Sequence, residues 1–143
     1  MPKIDLANVP VKTGSIYPEP YAAQMQGRSS LRLGQAGGLT QFGANLVILA
    51  PGARSSLRHW HRHEDEFVMV TDGECVLIED AGETVMRPGD CAAFPAGVAD
   101  GHCLVNRSGT EARWASSPGS MTCNAPTASI SLRVALSRRT TMS

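Results

Sequence analysis

The sequence lacks the features that mark a membrane span or a nucleic-acid partner. Thirteen basic residues are balanced by thirteen acidic ones, so no net charge attracts a polyanion or an anionic membrane surface. The amino-terminal stretch MPKIDLANVPVKTG contains no apolar run long enough for a signal peptide or a membrane span. We therefore expect a cytoplasmic protein with a small-molecule ligand or substrate, and neither a nucleic-acid nor a membrane partner.

Paired cysteines and helical patterns are also scarce. The four cysteines form no C-x-x-C pair, and three of them lie among apolar or small residues. For these three, Cys75, Cys91 and Cys103, we expect reduced and buried thiols. Helical periodicity is almost absent, and 143 residues suit one compact domain. The sequence therefore predicts a single domain that is not built on helices or disulfides.

Short apolar runs separated by turn residues begin at Ala44. We interpret seven of them as strands: ANLVILA, EFVMV, CVLIE, ETVMR, CAAFP, HCLVN and EARWA. The pair Asp72-Gly73 predicts a tight hairpin between EFVMV and CVLIE, because glycine accepts the positive φ of such a turn. Strands at a spacing of about ten residues indicate an all-β sandwich or small barrel.

The strand EFVMV is apolar on both faces. Val68 and Val70 share the face of Glu66, whereas Phe67 and Met69 point the other way. A small barrel on its own should present polar residues on its outer face, so another surface must cover this one. The amino-terminal arm or a second subunit could do so, and we favour a homodimer.

Both ends of the chain depart from the strand pattern. Residues 1–43 have scattered glycines and prolines, and they predict an extended arm with short strand pieces. Tyr17, Tyr21 and Phe42 are expected to anchor this arm, and packing is favoured over a binding role for the tyrosines. The barrel core then spans residues 44–113. Residues 114–143 are small and polar, and they predict irregular edge strands or a loosely ordered tail.

Three of the four histidines lie between Pro51 and Gly73. His59 and His61 are two residues apart, so on a strand both imidazoles leave from the same face. Glu66 reaches that face only if a loop or bulge precedes it. Together with His102 on the strand HCLVN, these residues offer three imidazoles and one carboxylate. Such a set suits Mn, Fe, Co, Ni, Cu or Zn better than Ca or Mg.

The histidines and the turn glycines resemble the two motifs of the cupin superfamily. The first runs from Gly52 to Gly73 as G-x6-H-x-H-x4-E-x6-G, and the second from Gly89 to Asn106 as G-x5-P-x-G-x4-H-x3-N. This spacing has one extra residue before the first histidine of the family pattern and two before the last. The resemblance, closest to small single-domain bacterial cupins, implies a double-stranded β-helix or jelly-roll barrel. It also implies four metal ligands: His59, His61, Glu66 and His102.

The resemblance implies dioxygenase, decarboxylase, isomerase or lyase activity and cannot choose among them. We expect a metal-dependent enzyme that acts on a small oxygenated molecule, with a divalent Fe, Mn, Zn, Ni, Co or Cu ion and no other cofactor. The alternative is a non-catalytic cupin module that binds or senses a small ligand. No tyrosine lies in the barrel segment, which argues against a mechanism that needs a phenol beside the metal.

The catalytic residues are not assigned by the sequence. His63, Asp65 and Asp100 are the candidates for proton transfer. Asn106 is expected to form structural hydrogen bonds and not to bind the metal. Sugar-phosphate isomerisation would require a cationic pocket for the phosphate. The arginines available for that pocket are Arg54, Arg58 and Arg87.

Overall fold

A computed structural model describes residues 3–14 and 17–118, and its strands form two antiparallel sheets. The strands are β1 (Val11–Thr13), β2 (Arg28–Arg32), β3 (Asn45–Leu49), β4 (Glu66–Asp72), β5 (Cys75–Glu79), β6 (Gly82–Met86), β7 (Cys91–Phe94), β8 (Cys103–Val105) and β9 (Ala112–Pro118). The larger sheet has the order β1-β2-β3-β9-β4-β7, and the smaller has the order β6-β5-β8. Helical segments are short: Leu6–Asn8, Tyr21–Met25 and α1 (Leu33–Ala36). The predicted all-β jelly roll is confirmed.

The hydrophobic core lies between the two sheets. Val47 on β3, Val70 on β4 and Trp114 on β9 are paired neighbours in the larger sheet, and all three are buried. Leu77 on β5 and Leu104 next to it on β8 contribute to the same core cluster from the smaller sheet. Along β3 and β4, alternate residues therefore face inward, as the period of two in the sequence requires.

The predicted hairpin between β4 and β5 was wrong. The two strands follow one another in the chain but belong to different sheets. Gly73 does take a positive φ of 69°. It also lies so close to Glu111 that an added Cβ would be 2.3 Å from the carbonyl oxygen of that residue. The chain turns a corner between the sheets here: β4 pairs with β7 and β9, whereas β5 pairs with β6 and β8.

The amino-terminal arm supplies two strands to the larger sheet, which are the strand pieces predicted for it. Strand β2 pairs with β3 along its whole length, and β1 extends the edge. Tyr17 and Tyr21 are half-buried. Phe42, by contrast, is 54% exposed, so its predicted role as an anchor was wrong.

At the other end, β9 continues through Ser116, Ser117 and Pro118 beyond the strand predicted to end at Ala115. These residues pair with β4 between Glu66 and Val68. The predictions for the tail after residue 118 lie outside the described residues.

Part of the outer face of the larger sheet is apolar and exposed. Val11, Phe67 and Met69 all lie on this face, and each is more than a third exposed. The arm does not cover them in the described chain. Their exposure agrees with the apolar outer face seen in the sequence.

Two of the cysteines are where the sequence predicted them. Cys75 and Cys103 are buried free thiols, whereas Cys91 is exposed, so the prediction of burial was wrong there. Cys91 is on the outward side of β7, at the edge of the larger sheet. Cys123 lies outside the described residues. Among the described residues, no helix has the length and hydropathy needed to cross a membrane.

Candidate metal centre

Two segments that are far apart in sequence meet at the site. The backbone N–H of His59 donates to the carbonyl of His102 at 3.2 Å, and the N–H of His102 donates back to the carbonyl of His59 at 2.9 Å. This isolated antiparallel bridge places the two imidazoles side by side, with ring centroids 5.2 Å apart. The carbonyl of His61 accepts from the N–H of Gly97 at 2.8 Å, which attaches the turn before His102 to the same segment. Glu66 is the first residue of β4.

The four residues predicted as ligands lie close together. Ligand atoms of His59, His61 and Glu66 lie within 4.8 Å of one another, a cluster that could hold a metal ion. The Nε2 atom of His102 lies 3.1 Å from Glu66 Oε2, and that of His61 lies 3.6 Å from the same oxygen. The carboxylate of Glu66 is therefore at the centre of the cluster.

Two of the imidazole rings are held in a fixed orientation. The Nδ1 atom of His59 lies 2.9 Å from the carbonyl oxygen of Leu57. Since a carbonyl only accepts, Nδ1 carries the proton and Nε2 keeps a lone pair. That is the tautomer in which a metal-binding histidine is commonly held. The ring of His102 stacks on Phe94, with centroids 3.5 Å apart and planes 6° from parallel.

The charge states also fit a metal. Burial raises the pKa of Glu66, but hydrogen bonds to His102 and His61 lower it by a larger amount. The resulting pKa is about 2. Burial lowers the pKa of His59, which favours the neutral ring. The hydrogen bond to Glu66 raises the pKa of His61, so ion binding there would compete with a proton. An ionised carboxylate beside neutral imidazole is the donor set that divalent transition metals bind.

The three candidates for proton transfer lie in different surroundings. His63 is exposed in the loop before β4. Asp65 accepts a hydrogen bond from the N–H of Ala96 at 2.8 Å, which joins its loop to the turn after β7. Asp100 accepts from the N–H of Asp80 at 2.9 Å and lines a cavity of about 120 Å³. His61 and His102 line the same cavity, so Asp100 is the candidate that borders the cluster.

Asn106 forms structural hydrogen bonds, as predicted. Its side chain is fully buried and donates from Nδ2 to the carbonyl oxygens of Leu49 and Thr110. Its Oδ1 accepts from both the N–H and the hydroxyl of Ser108. Asn106 therefore joins the end of β3 to the turn between β8 and β9.

Two of the arginines considered for a phosphate pocket are bound elsewhere. Arg58 donates to the carbonyl of Gly101 and pairs with Asp80. Arg87 is an exposed side chain that lies 3.4 Å from Glu74. Neither lines a cavity that includes His59.

A second and larger cavity, of about 380 Å³, borders His59 and His61 and was not predicted. Lys12, Tyr17 and Arg28 line it, and all three come from the amino-terminal arm. The barrel segment contains no tyrosine, and the phenol on the wall of this cavity comes from the arm. The pairing of β1 with β2 and of β2 with β3 brings Lys12 and Arg28 here, and no local sequence signal reveals that pairing.

The comparisons with known proteins agree with this geometry. Residues 45–118 match the family described as Cupin domain. No curated protein matches the chain. The chain is similar to the crystal structure of a sugar phosphate isomerase of the cupin superfamily from Silicibacter pomeroyi. That similarity has 58% identity and a TM-score of 0.81, and it covers 82% of this chain and 75% of the other.

Two further solved structures share the fold. The polyketide cyclase RemF from Streptomyces resistomycificus is 20% identical with a TM-score of 0.65, over 83% of this chain and 79% of its own. That likeness concerns the fold alone. An oxalate oxidase in complex with glycolate is 26% identical with a TM-score of 0.54, over 66% of this chain and 51% of its own. The family match covers both motifs and more than half of the chain, and the chain belongs to the cupin family.

Proposed function

We propose that this cupin is a metal-dependent enzyme of the isomerase type that acts on a small oxygenated molecule. The observation that carries the proposal is the cluster of ligand atoms from His59, His61 and Glu66 within 4.8 Å of one another. His102 lies beside it, 3.1 Å from Glu66. We assign these four residues as the metal ligands, and Fe, Mn, Zn, Ni, Co and Cu all accept such a set of nitrogen and oxygen donors.

The residues of the chain would hold and assist the ion in distinct ways. A bound divalent metal would supply Lewis-acid polarisation of a carbonyl or hydroxyl oxygen. Glu66 provides the negative charge, and the carbonyl of Leu57 fixes the ring of His59. We favour Asp100 over His63 and Asp65 as the acid–base residue, since it lines a cavity together with two of the ligands.

The relative from Silicibacter pomeroyi favours isomerisation among the reactions that such a site permits. It is a sugar phosphate isomerase and is 58% identical over 82% of this chain. Aldose–ketose isomerisation needs a polarised carbonyl and a residue that moves a proton between neighbouring atoms. It needs no external oxidant, unlike the dioxygenase alternative. Decarboxylase and lyase chemistry would use the same Lewis acid, so these reactions are distinguished by measuring which product the enzyme forms.

Metal content provides the first test. Protein purified without chelators should carry about one transition-metal ion per chain, by elemental analysis. An ion present at about 100 times its dissociation constant stabilises a protein by about 2.7 kcal/mol. Removal by EDTA should therefore lower Tm by about 5–10 °C, and added metal should restore it. His61→Ala and Glu66→Gln should lose the ion, whereas the matched control His63→Ala should keep it. Absence of metal, with no rise in Tm on adding ions, would contradict the proposal.

Turnover provides the second test. Aldose and ketose phosphates incubated with the metal-loaded protein in D2O should interconvert and gain deuterium next to the carbonyl, as followed by proton NMR. The EDTA-treated protein and Asp100→Asn should show little exchange. Oxygen uptake or release of carbon dioxide from other small acids would indicate the dioxygenase or decarboxylase type instead. Metal binding without any turnover would favour the non-catalytic ligand-binding module.

We also propose that the protein is a cytoplasmic homodimer that buries the outer face of the larger sheet. Phe67 on that face is 43% exposed although it is a large apolar residue. Light scattering on the eluting protein should give twice the chain mass. Phe67→Asp should give the monomer, whereas Val85→Asp on the smaller sheet, where the side chain is 41% exposed, should remain dimeric. A monomeric wild-type protein would rule out the dimer, and cell fractionation tests the location.

A further inference from the structure

Strand register places two cations on the inner face of the larger sheet. Arg28 is paired with Leu49, which is fully buried in the core, so both side chains point inward. Ser30 lies two residues along β2 and shares the face of Arg28. Lys12 is paired with Ser30 across β1 and β2, which puts its side chain on that face as well. Both cations therefore lie on the side of the sheet that carries Glu66.

The larger cavity beside the proposed metal ligands has a cationic wall. Lys12 and Arg28 line it together with Tyr17, and on the other side it borders His59 and His61. No carboxylate is among the described residues that line it. A volume of about 380 Å³ is enough for a small ligand. The positive wall and the lack of acids favour a ligand with a negative group.

The guanidinium of Arg28 has an N–H donor that forms no hydrogen bond with the described residues. Its Nε is buried, and it has no hydrogen-bond partner within residues 3–14 and 17–118. No described carboxylate lies within ion-pair distance of its guanidinium. Buried donors without a partner are rare in folded proteins. Burial lowers the pKa of this guanidinium although the negative charge of Glu66 opposes the shift, and an arginine remains protonated in proteins.

We infer that Arg28 and Lys12, with the hydroxyl of Tyr17, form an anion-binding subsite for a phosphate or carboxylate group of the ligand. The planar guanidinium matches two oxygens of such a group at once, and Lys12 adds a second positive charge. This inference rests on the proposed function in one respect: the cavity borders His59 and His61, so the bound ligand would extend towards the metal. Phosphate and carboxylate share the chemistry, and the experiment distinguishes them.

Binding of simple anions to metal-free protein tests the subsite without any turnover. The EDTA-treated, dialysed chain is titrated by calorimetry with inorganic phosphate and, separately, with glycolate as the carboxylate probe. Arg28→Met removes the charge while keeping the length, and Arg28→Lys keeps the charge without the planar fork. Arg87→Met is the matched control, since Arg87 is an exposed arginine outside the cavity. Melting temperature is recorded for each variant.

Phosphate should bind the wild-type chain and Arg87→Met equally, and Arg28→Met about tenfold or more weakly. Arg28→Lys and Lys12→Met should lie in between. Arg28→Met should keep the wild-type Tm, because no described partner of the guanidinium is lost. Binding of glycolate in place of phosphate, with the same dependence on Arg28, would support the subsite and identify the ligand as a carboxylate.

Three results would overturn the inference. The first is that neither anion binds the metal-free chain. The second is that Arg28→Met and Arg28→Lys bind as tightly as wild type. The third is a marked fall in Tm for Arg28→Met with anion affinity unchanged, which would make Arg28 a structural residue. Because these titrations need neither metal nor turnover, a failed metal analysis would refute the proposed function while leaving the subsite intact.

Discussion

Replacing Asn106 by alanine should destabilise the fold strongly while leaving the proposed metal ligands in place. The side chain is fully buried and forms four hydrogen bonds, two as donor and two as acceptor. Groups of Ser108 and Thr110 in the turn can bond water instead, so their loss costs little. The carbonyl of Leu49 would remain buried without its Nδ2 donor, and a void would be left beside it. An unsatisfied buried group and a small cavity together cost about 2–4 kcal/mol.

The assay is thermal and urea unfolding followed by circular dichroism. For a chain of this size we expect Tm to fall by about 5–15 °C. Ser108→Ala, which removes the hydroxyl partner of Asn106 and keeps Asn106 itself, should cost less than about 1 kcal/mol. The metal content of folded Asn106→Ala should equal that of wild type. The structural account would be refuted if Asn106→Ala lost metal while keeping its Tm, since Asn106 would then act at the ion.

Two further outcomes follow from the fold. Gly73→Ala should lower the free energy of unfolding in urea by at least about 2 kcal/mol more than Gly52→Ala does. Both glycines have a positive φ, but only a Cβ at position 73 would meet the carbonyl of Glu111. Equal losses of stability would contradict the close approach. Iodoacetamide should label the exposed Cys91 well before Cys75, whose pKa burial raises to about 11. Peptide mass spectrometry checks the order, and equal labelling would contradict the burial.

The local pattern of apolar and turn residues predicted the positions of the strands well, but it predicted poorly which strands pair. Each of the seven runs predicted as strands corresponds to one of β3 to β9, because inward and outward residues alternate within a few positions. The hairpin at Gly73 failed for a non-local reason. An Asp-Gly turn fixes the backbone angles, but which strands pair depends on how the faces of both sheets are buried.

The same contrast holds for the site. His59, His61 and Glu66 are close in sequence, so their spacing predicted that they meet. The loop predicted before Glu66, which turns its side chain to the face of the histidines, is also present as a segment without strand structure before β4. His102 was included from its place on the predicted strand HCLVN, and the second cupin motif agreed with that choice. Arg28 could not be found in this way, because its place beside His59 depends on β2 pairing with β3.

The proposed metal ligands and the cationic wall thus come from different parts of the chain and are constrained differently. The ligands lie within residues 45–118, the part that matches the cupin family, whereas Lys12 and Arg28 lie before it. A shift of one residue in the pairing of β1 with β2 would move Lys12 to the outer face while leaving the ligands untouched. The arm therefore could change which ligand binds without altering the metal site. On this view, two cupins with identical metal ligands could select different substrates through the register of an edge strand.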